Sequence, residues 1–225
     1  YLSSVLPILY KELVSQTQAV MEHGLNEEHR LLTMRARPKI LVAEDYEEAL
    51  ELYRRYEPYV MGIISDLRFP KRCRMEEEAG VELLSRIKEE HFDIPMALMS
   101  SESAKSGLAE RLPADFLDKN ASDLHERIRS FLKERLGFGD FVFRMPDGTE
   151  ISSAPDLRAL EQKLAAISRE SFIQHCNHND FSRWLFARTE IALANMFRPL
   201  RGEDFQDVES HRQYLISSIR TRRKL

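Results

Sequence analysis

Three side chains that could carry out chemistry each stand at the end of a short apolar run: Asp66, Ser100 and Lys119. A carboxylate, a hydroxyl and an ammonium group together suit phosphoryl transfer. The carboxylate attacks phosphorus to give an acyl phosphate, the lysine pairs with phosphate charge, and the hydroxyl donates to a phosphoryl oxygen. Such transfer also uses a divalent cation, usually Mg²⁺, which further carboxylates hold.

The apolar runs are typical of buried parallel strands, and segments with helical spacing lie between them. In chain order we predict a strand at 39–43, a helix at 46–56, a strand at 60–66, a helix at 79–90, a strand at 94–100, a helix at 104–112, a strand at 115–119 and a helix at 122–136. Ser122 is the predicted N-cap of the last helix. Strands that alternate with helices imply βαβ units and a parallel sheet. Because ligands bind at the carboxyl ends of such strands, the three side chains are expected to meet at one edge of the sheet.

A second part of the chain begins near Gly137. Residues 140–144 and 149–153 predict a β-hairpin with Asp147 and Gly148 in its turn. The pattern that follows predicts helices at 157–167, 171–178, 179–197 and 204–219. The sequence therefore predicts an α/β domain over residues 1–136 and a β-hairpin with a small helical domain over residues 137–225.

Two features of the second part suggest binding. His175 and His178 have the spacing of two metal ligands on one helix face. However, no further Cys or His pair lies nearby, and the next two residues are typical helix N-caps, so a metal is disfavoured. Arg183 and Arg188 lie beside an apolar stripe, where they could bind an anion.

The composition limits the classes of function. A net charge of −4 argues against general nucleic-acid binding. No apolar stretch approaches about 18 residues, so neither a transmembrane helix nor a membrane partner is predicted. The two cysteines, Cys73 and Cys176, do not make a disulfide framework, which fits a cytoplasmic protein.

The ordered motifs resemble the receiver domain of bacterial two-component response regulators over about residues 1–136. SDLRFP, which contains Asp66, matches the phospho-acceptor strand and its turn; IPMALMSS matches the fourth strand and DFLDKN the fifth. Asp66 and Lys119 are 53 residues apart, close to the family spacing. The resemblance implies a CheY-like (flavodoxin-like) doubly wound parallel sheet with strand order 2-1-3-4-5. It also implies that a histidine kinase or a small phosphodonor phosphorylates Asp66 and that Lys119 binds the phosphoryl group. Phosphorylation would then move Ser100 or Ser101 together with Phe116.

The family's opening strand and its acidic pair are not seen in this sequence. In the family those acids hold Mg²⁺ together with the acceptor aspartate and a backbone carbonyl, here that of Arg68. The chain opens with a pattern of the first helix, so we expect the acidic strand upstream of Tyr1. Its central place would be filled by upstream residues or by a strand of another copy. In an alternative alignment the domain starts one strand later, and Glu44 and Asp45 form the acidic pair. The charged loop after Pro70 could gate the site or bind a partner.

The run from residue 137 to the segment 181–185 is similar to a module of bacterial phosphoenolpyruvate synthase and pyruvate phosphate dikinase-like proteins. Residues 34–49 and 137–144 look like the same group. In those proteins a receiver-like region precedes the module, and the nucleotide- and pyruvate-binding parts lie downstream. The sequence has neither a glycine-rich phosphate loop nor a phosphohistidine motif, so this chain is not itself expected to be an enzyme.

These observations leave three functions open. The first is a phosphorylation-responsive regulatory region that alters docking of the helical module, a downstream catalytic domain or a protein partner; a homodimer is also consistent with it. The second is a pseudo-receiver that takes no phosphate and acts as an interaction scaffold. The third, an aspartyl-phosphate hydrolase, is disfavoured because Arg68 stands where such an enzyme has an acid.

Overall fold

The computed structural model describes residues 2–22, 38–91, 93–112 and 114–224. Their contacts divide them into two compact units. The first takes the described residues of 1–10 and 39–131, and the second takes those of 11–38 and 132–225. The helix α1 (Leu2–Glu22) has residues in both units. The fold is mixed α/β and contains a three-stranded parallel sheet.

The parallel sheet lies in the first unit. The elements that follow α1 are α2 (Tyr46–Tyr56), β1 (Ile63–Asp66), β2 (Phe69–Lys71), β3 (Arg74–Glu76), α3 (Ala79–Glu90), β4 (Met96–Ser100), α4 (Ser106–Glu110), β5 (Asp115–Asp118) and α5 (Leu124–Ser130), which continues as a π-helix over Phe131–Arg135. The strand order is β1-β4-β5, with Asp66 opposite Met99 and Ser100 opposite Asp118. All residues of the central strand β4 are buried, as a continuous apolar run predicts. This register brings the ends of the three strands to one edge.

Two predicted features of the first unit are wrong. Residues 39–43 form no strand, and Leu41 and Val42 are 49% and 39% exposed. An apolar run becomes a strand only when a neighbouring strand accepts its backbone hydrogen bonds, and no described strand pairs with this run. The last helix begins at Leu124, so Ser122 is not its N-cap. Asp123 stands at the cap position instead, and its carboxylate pairs with Arg127.

The charged segment after β1 is a β-hairpin and not an open loop. Its strands β2 and β3 are antiparallel, with the register Phe69↔Glu76, Pro70↔Met75 and Lys71↔Arg74. Arg72 and Cys73 connect them with φ values of 50° and 61°, the two positive angles of a type I′ turn. Lys71 forms an ion pair with Glu82 and lies 4.8 Å from the ring centre of Tyr46. The hairpin is therefore held to α2 and α3 through β2.

The second unit contains a β-hairpin and the helices that follow it along the chain. Its elements are β6 (Phe141–Arg144), β7 (Glu150–Ala154), α6 (Leu157–Leu164), α7 (Arg169–Asn177), α8 (Asp180–Ala187), α9 (Ile191–Phe197) and α10 (Val208–Lys224). Side-chain oxygens of Asp156 and Ser168 cap α6 and α7. The helix predicted at 179–197 is wrong as a single element, because Thr189 has φ of 61° and separates α8 from α9. Trp184 and Phe143 are among the fully buried side chains of its core.

Candidate functional site

Asp66 and Lys119 form an ion pair at the carboxyl edge of the parallel sheet. Lys119 Nζ lies 2.7 Å from Oδ1 and 2.7 Å from Oδ2 of the Asp66 carboxylate. The Lys119 side chain is 10% exposed and that of Asp66 36%, so the cation is covered whereas the carboxylate remains open to solvent. The structure therefore brings these two residues together at the edge of the sheet. A cation held against both oxygens is positioned to contact a phosphoryl group attached to either one.

Ser100 reaches this edge mainly through its backbone. The backbone N–H of Lys119 donates to the Ser100 carbonyl oxygen at 2.8 Å, which ties the end of β5 to the end of β4. The Ser100 side chain is buried, and its Oγ accepts a hydrogen bond from the backbone N–H of Glu102 at 3.0 Å. Ser101 is exposed, and its carbonyl oxygen accepts from Asn120 Nδ2 at 3.0 Å. The Ser100 hydroxyl is therefore engaged with the loop that follows β4.

Phe116 is half-buried and packs against the apolar core of the first unit. It lies on β5 opposite Leu98 of the buried central strand. This placement joins the ring to the sheet two residues before the strand ends, and Lys119 follows directly after the strand.

Gly80 is a positioning residue that the sequence analysis did not identify. A Cβ built on Gly80 would lie 2.0 Å from the backbone oxygen of Asp66, and the Gly80 N–H donates to the Leu67 carbonyl at 3.0 Å. The backbone at the start of α3 is thus in direct contact with the backbone at the end of β1. Only a residue without a side chain permits so close an approach. The signal was a glycine in the first turn of a predicted helix, where glycine is unfavourable and often marks close backbone approach.

Four charged side chains form a charged clasp beside the site: Arg68, Glu77, Glu102 and Lys105. Arg68 Nη1 lies 3.2 Å from Glu77 Oε2 and 3.7 Å from Glu102 Oε1. Lys105 Nζ lies 3.7 Å from Glu77 and 3.5 Å from Glu102. The clasp therefore joins the loop after β1, the base of the β2–β3 hairpin and the loop after β4. Because its members are substantially exposed, solvent screens these pairs and each contributes little to stability.

The described residues contain no group of three His, Cys, Asp or Glu side chains that could hold a metal ion. The alternative acidic pair has a local role instead. Asp45 Oδ1 accepts a hydrogen bond from the Glu48 backbone N–H at 2.8 Å and caps α2, while the Glu44 N–H donates to Glu48 Oε2 at 2.8 Å. Asp66 and the carbonyl of Arg68 remain the oxygen donors that the sequence points to, and Mg²⁺ binding stays a prediction.

His175 links the hairpin of the second unit to two of its helices. Its Nε2 accepts a hydrogen bond from the Arg144 backbone N–H at 2.8 Å, and its Nδ1 lies 2.6 Å from Asp180 Oδ2. Both ring nitrogens are therefore occupied, and His178 is exposed. Burial alone would raise the pKa of Asp180, but His175 and Arg183 hold it below its usual range. This geometry is that of a buried structural network.

The neighbouring Cys176 is not an activated nucleophile. Burial raises the pKa of the Cys176 thiol to about 12, and the charge of Asp180 acts in the same direction. The thiolate, which is the reactive form, is therefore suppressed at neutral pH. Cysteine–histidine catalysis has no support at this position.

The two candidate anion-binding arginines contact protein groups. Arg188 lies over the ring of Trp184 at 3.5 Å from its centre and donates to the carbonyl oxygens of Gly137 and Gly139, each at 2.8 Å. Arg183 pairs with Asp180. Burial lowers the pKa of Arg188, although a guanidinium stays charged at neutral pH. In this arrangement Arg188 holds the loop that precedes β6.

No protein-family model matches this chain, and no curated protein or solved structure matches it either. Among the helices of the described residues, none combines the length and the apolar character that crossing a membrane requires. A mixed α/β fold with an Asp–Lys pair at the carboxyl edge of its parallel sheet is therefore the arrangement from which a function can be argued.

Proposed function

We propose that the first unit is a receiver-type regulatory module in which Asp66 accepts a phosphoryl group from a histidine kinase or a small phosphodonor. The observation that carries the proposal is the contact of Lys119 Nζ with both oxygens of a solvent-open Asp66 carboxylate. A carboxylate oxygen would form a bond to phosphorus while the bond from phosphorus to the donor breaks, and the donor would leave with that electron pair. Lys119 would then bind a phosphoryl oxygen.

The parallel sheet supports this proposal, although it does not by itself identify a receiver. In the proposed alignment β1, β4 and β5 are the third, fourth and fifth strands of a CheY-like doubly wound sheet, and their parallel order is the one such a sheet requires. Ser100 and Phe116 would then be the residues that respond to phosphorylation. The output would be altered docking of the helical unit or of a phosphoenolpyruvate synthase-like catalytic domain in the bacterial cytoplasm.

A pseudo-receiver is the second candidate. The observation that suits it is that Lys119 Nζ already contacts both oxygens of Asp66, so the ion pair is complete without a phosphoryl group. In that case the pair of Asp66 and Lys119 would be a structural link between the ends of β1 and β5. The protein would then act by binding a partner and would never carry a phosphate.

The experiment that separates the two is incubation of the chain with acetyl phosphate, with Mg²⁺ in one arm and EDTA in the other, followed by intact mass measurement. A receiver gains one phosphate, and Asp66→Asn removes the gain. Asp123→Asn is the matched control, because that carboxylate is also exposed and also paired with a cation. Failure of the folded wild type to gain phosphate in either arm would refute phosphorylation of Asp66 within residues 1–225 and favour the scaffold.

A further inference from the structure

The β2–β3 hairpin presents an exposed strand edge. Its inner strand β2 packs against α2 and α3, whereas every residue of β3 is exposed and Met75 is 66% exposed. In the described part of the chain, β3 pairs with β2 alone. An exposed edge of this kind is a template on which another strand can pair.

The hairpin register directs the backbone groups of Met75 away from β2. Lys71 and Arg74 close the two-residue turn, so they form a hydrogen-bonded pair, and the next pair, Pro70 with Met75, is a non-hydrogen-bonded one. The presence of Pro70 agrees with this alternation, because proline has no N–H to donate. The N–H and C=O of Met75 therefore face outward, toward any strand that is added.

The charges along β3 reverse sign about Met75. Arg74 precedes it and Glu76 follows it, and in the part of the chain that the structure describes neither side chain forms an ion pair. When a second β3 runs antiparallel with Met75 opposite Met75, Arg74 of each copy lies opposite Glu76 of the other on one face. Parallel pairing in register would instead oppose like charges. The charge pattern therefore suits a second copy of β3 as the added strand and favours the antiparallel orientation.

We propose that two copies of this chain associate through their β3 strands, antiparallel and centred on Met75. The arrangement has twofold symmetry, so the same residues serve both copies. It includes a reciprocal pair of Met75 backbone hydrogen bonds and two Arg74–Glu76 contacts. Because the strand is short, the dimer is weak and forms at high protein concentration. The observations behind this association, the register and charges of β3, do not involve Asp66.

The test is a charge-swap cycle on the full chain, measured by sedimentation velocity over a wide range of concentration. Arg74→Glu opposes two glutamates at each end and should raise the dimer Kd about tenfold or more, and Glu76→Arg should do the same. The double variant Arg74→Glu/Glu76→Arg restores opposite charges and should recover the dimer. An equimolar mixture of the two single variants should form heterodimers while each alone remains monomeric.

A backbone variant tests the strand pairing itself. Met75→Pro removes the outward N–H and should abolish association, whereas Met75→Ala keeps that N–H and should retain it. Circular dichroism and thermal unfolding should be nearly unchanged in both, since the hairpin does not use this N–H. A wild type that stays monomeric throughout would overturn the proposal. So would association that Arg74→Glu leaves intact, because the contact would then belong to another surface.

Discussion

Replacing Gly80 by alanine tests whether the close approach of α3 and β1 positions Asp66. The added Cβ would lie 2.0 Å from the backbone oxygen of Asp66, whereas real contacts of this kind are not found under 3.0 Å. Backbone atoms cannot rotate away as a flexible side chain would. The end of β1 or the start of α3 must therefore move, and the carboxylate that Lys119 contacts moves with it.

The chain offers a matched control for the magnitude. Gly107 is the second residue of α4, as Gly80 is of α3, and a Cβ at Gly107 meets nothing within 4 Å. Both alanine variants gain helix propensity worth about 0.5–1 kcal/mol. Only Gly80→Ala adds overpacking, which costs about 1–3 kcal/mol. Since both variants gain the same helix propensity, the difference between their free energies of unfolding measures the cost of the clash at Gly80.

Urea unfolding of both variants gives this difference directly. We expect Gly107→Ala to be more stable than the wild type and Gly80→Ala to be less stable than Gly107→Ala by about 1–3 kcal/mol. The Gly80 variant should also take up phosphate from acetyl phosphate more slowly, because Asp66 is displaced from Lys119. Equal unfolding free energies for the two variants would refute the close-approach argument, whatever the outcome of phosphorylation.

Two further predictions concern stability. Burial lowers the pKa of His211, which stacks on Phe205, so the folded state resists protonation below the unfolded pKa of about 6.5. Stability should therefore fall as pH drops from 7 to 5, and His211→Gln should flatten that slope in pH-dependent urea unfolding; a slope that this variant leaves unchanged would contradict the reasoning. Replacing Arg72 and Cys73 by Asn-Gly, which accept positive φ more readily, should stabilise the hairpin by about 1 kcal/mol, measured by thermal unfolding; an unchanged or lower melting temperature would contradict the type I′ turn.

The sequence predicted those elements whose signals are local. The helices α2 and α3 have the predicted bounds, because apolar residues at helical spacing define them. The strands that end at Asp66 and Ser100 were also predicted, since buried apolar runs precede both residues. The convergence of Asp66 on Lys119 then followed from a general property of parallel sheets, that ligand-binding residues gather at the carboxyl ends of strands.

Features that depend on contacts between residues far apart in the sequence could not be predicted from such local patterns. The run at 39–43 has strand composition, but composition does not show whether a partner strand exists. The β2–β3 hairpin was missed because Arg72 and Cys73 are uncommon at positive φ, where Asn and Gly give the usual signal. The clasp was also missed, since its four charges come from three loops whose proximity only the fold establishes.

The charge balance at the sheet edge determines what phosphorylation would do. A phosphoryl group carries a charge of about −2, and Lys119 alone does not balance it. Arg68 and Lys105 lie in loops at the same edge, but both are paired with Glu77 and Glu102. Because exposed pairs are weak and charge-assisted bonds to phosphate are strong, Arg68 should leave the clasp unless Mg²⁺ supplies the charge. The EDTA arm of the acetyl phosphate experiment tests directly whether phosphorylation needs Mg²⁺. Incorporation without metal would mean that protein cations suffice, and the base of the β2–β3 hairpin, where Glu77 would lose Arg68 and keep only Lys105, would then be the first place to respond.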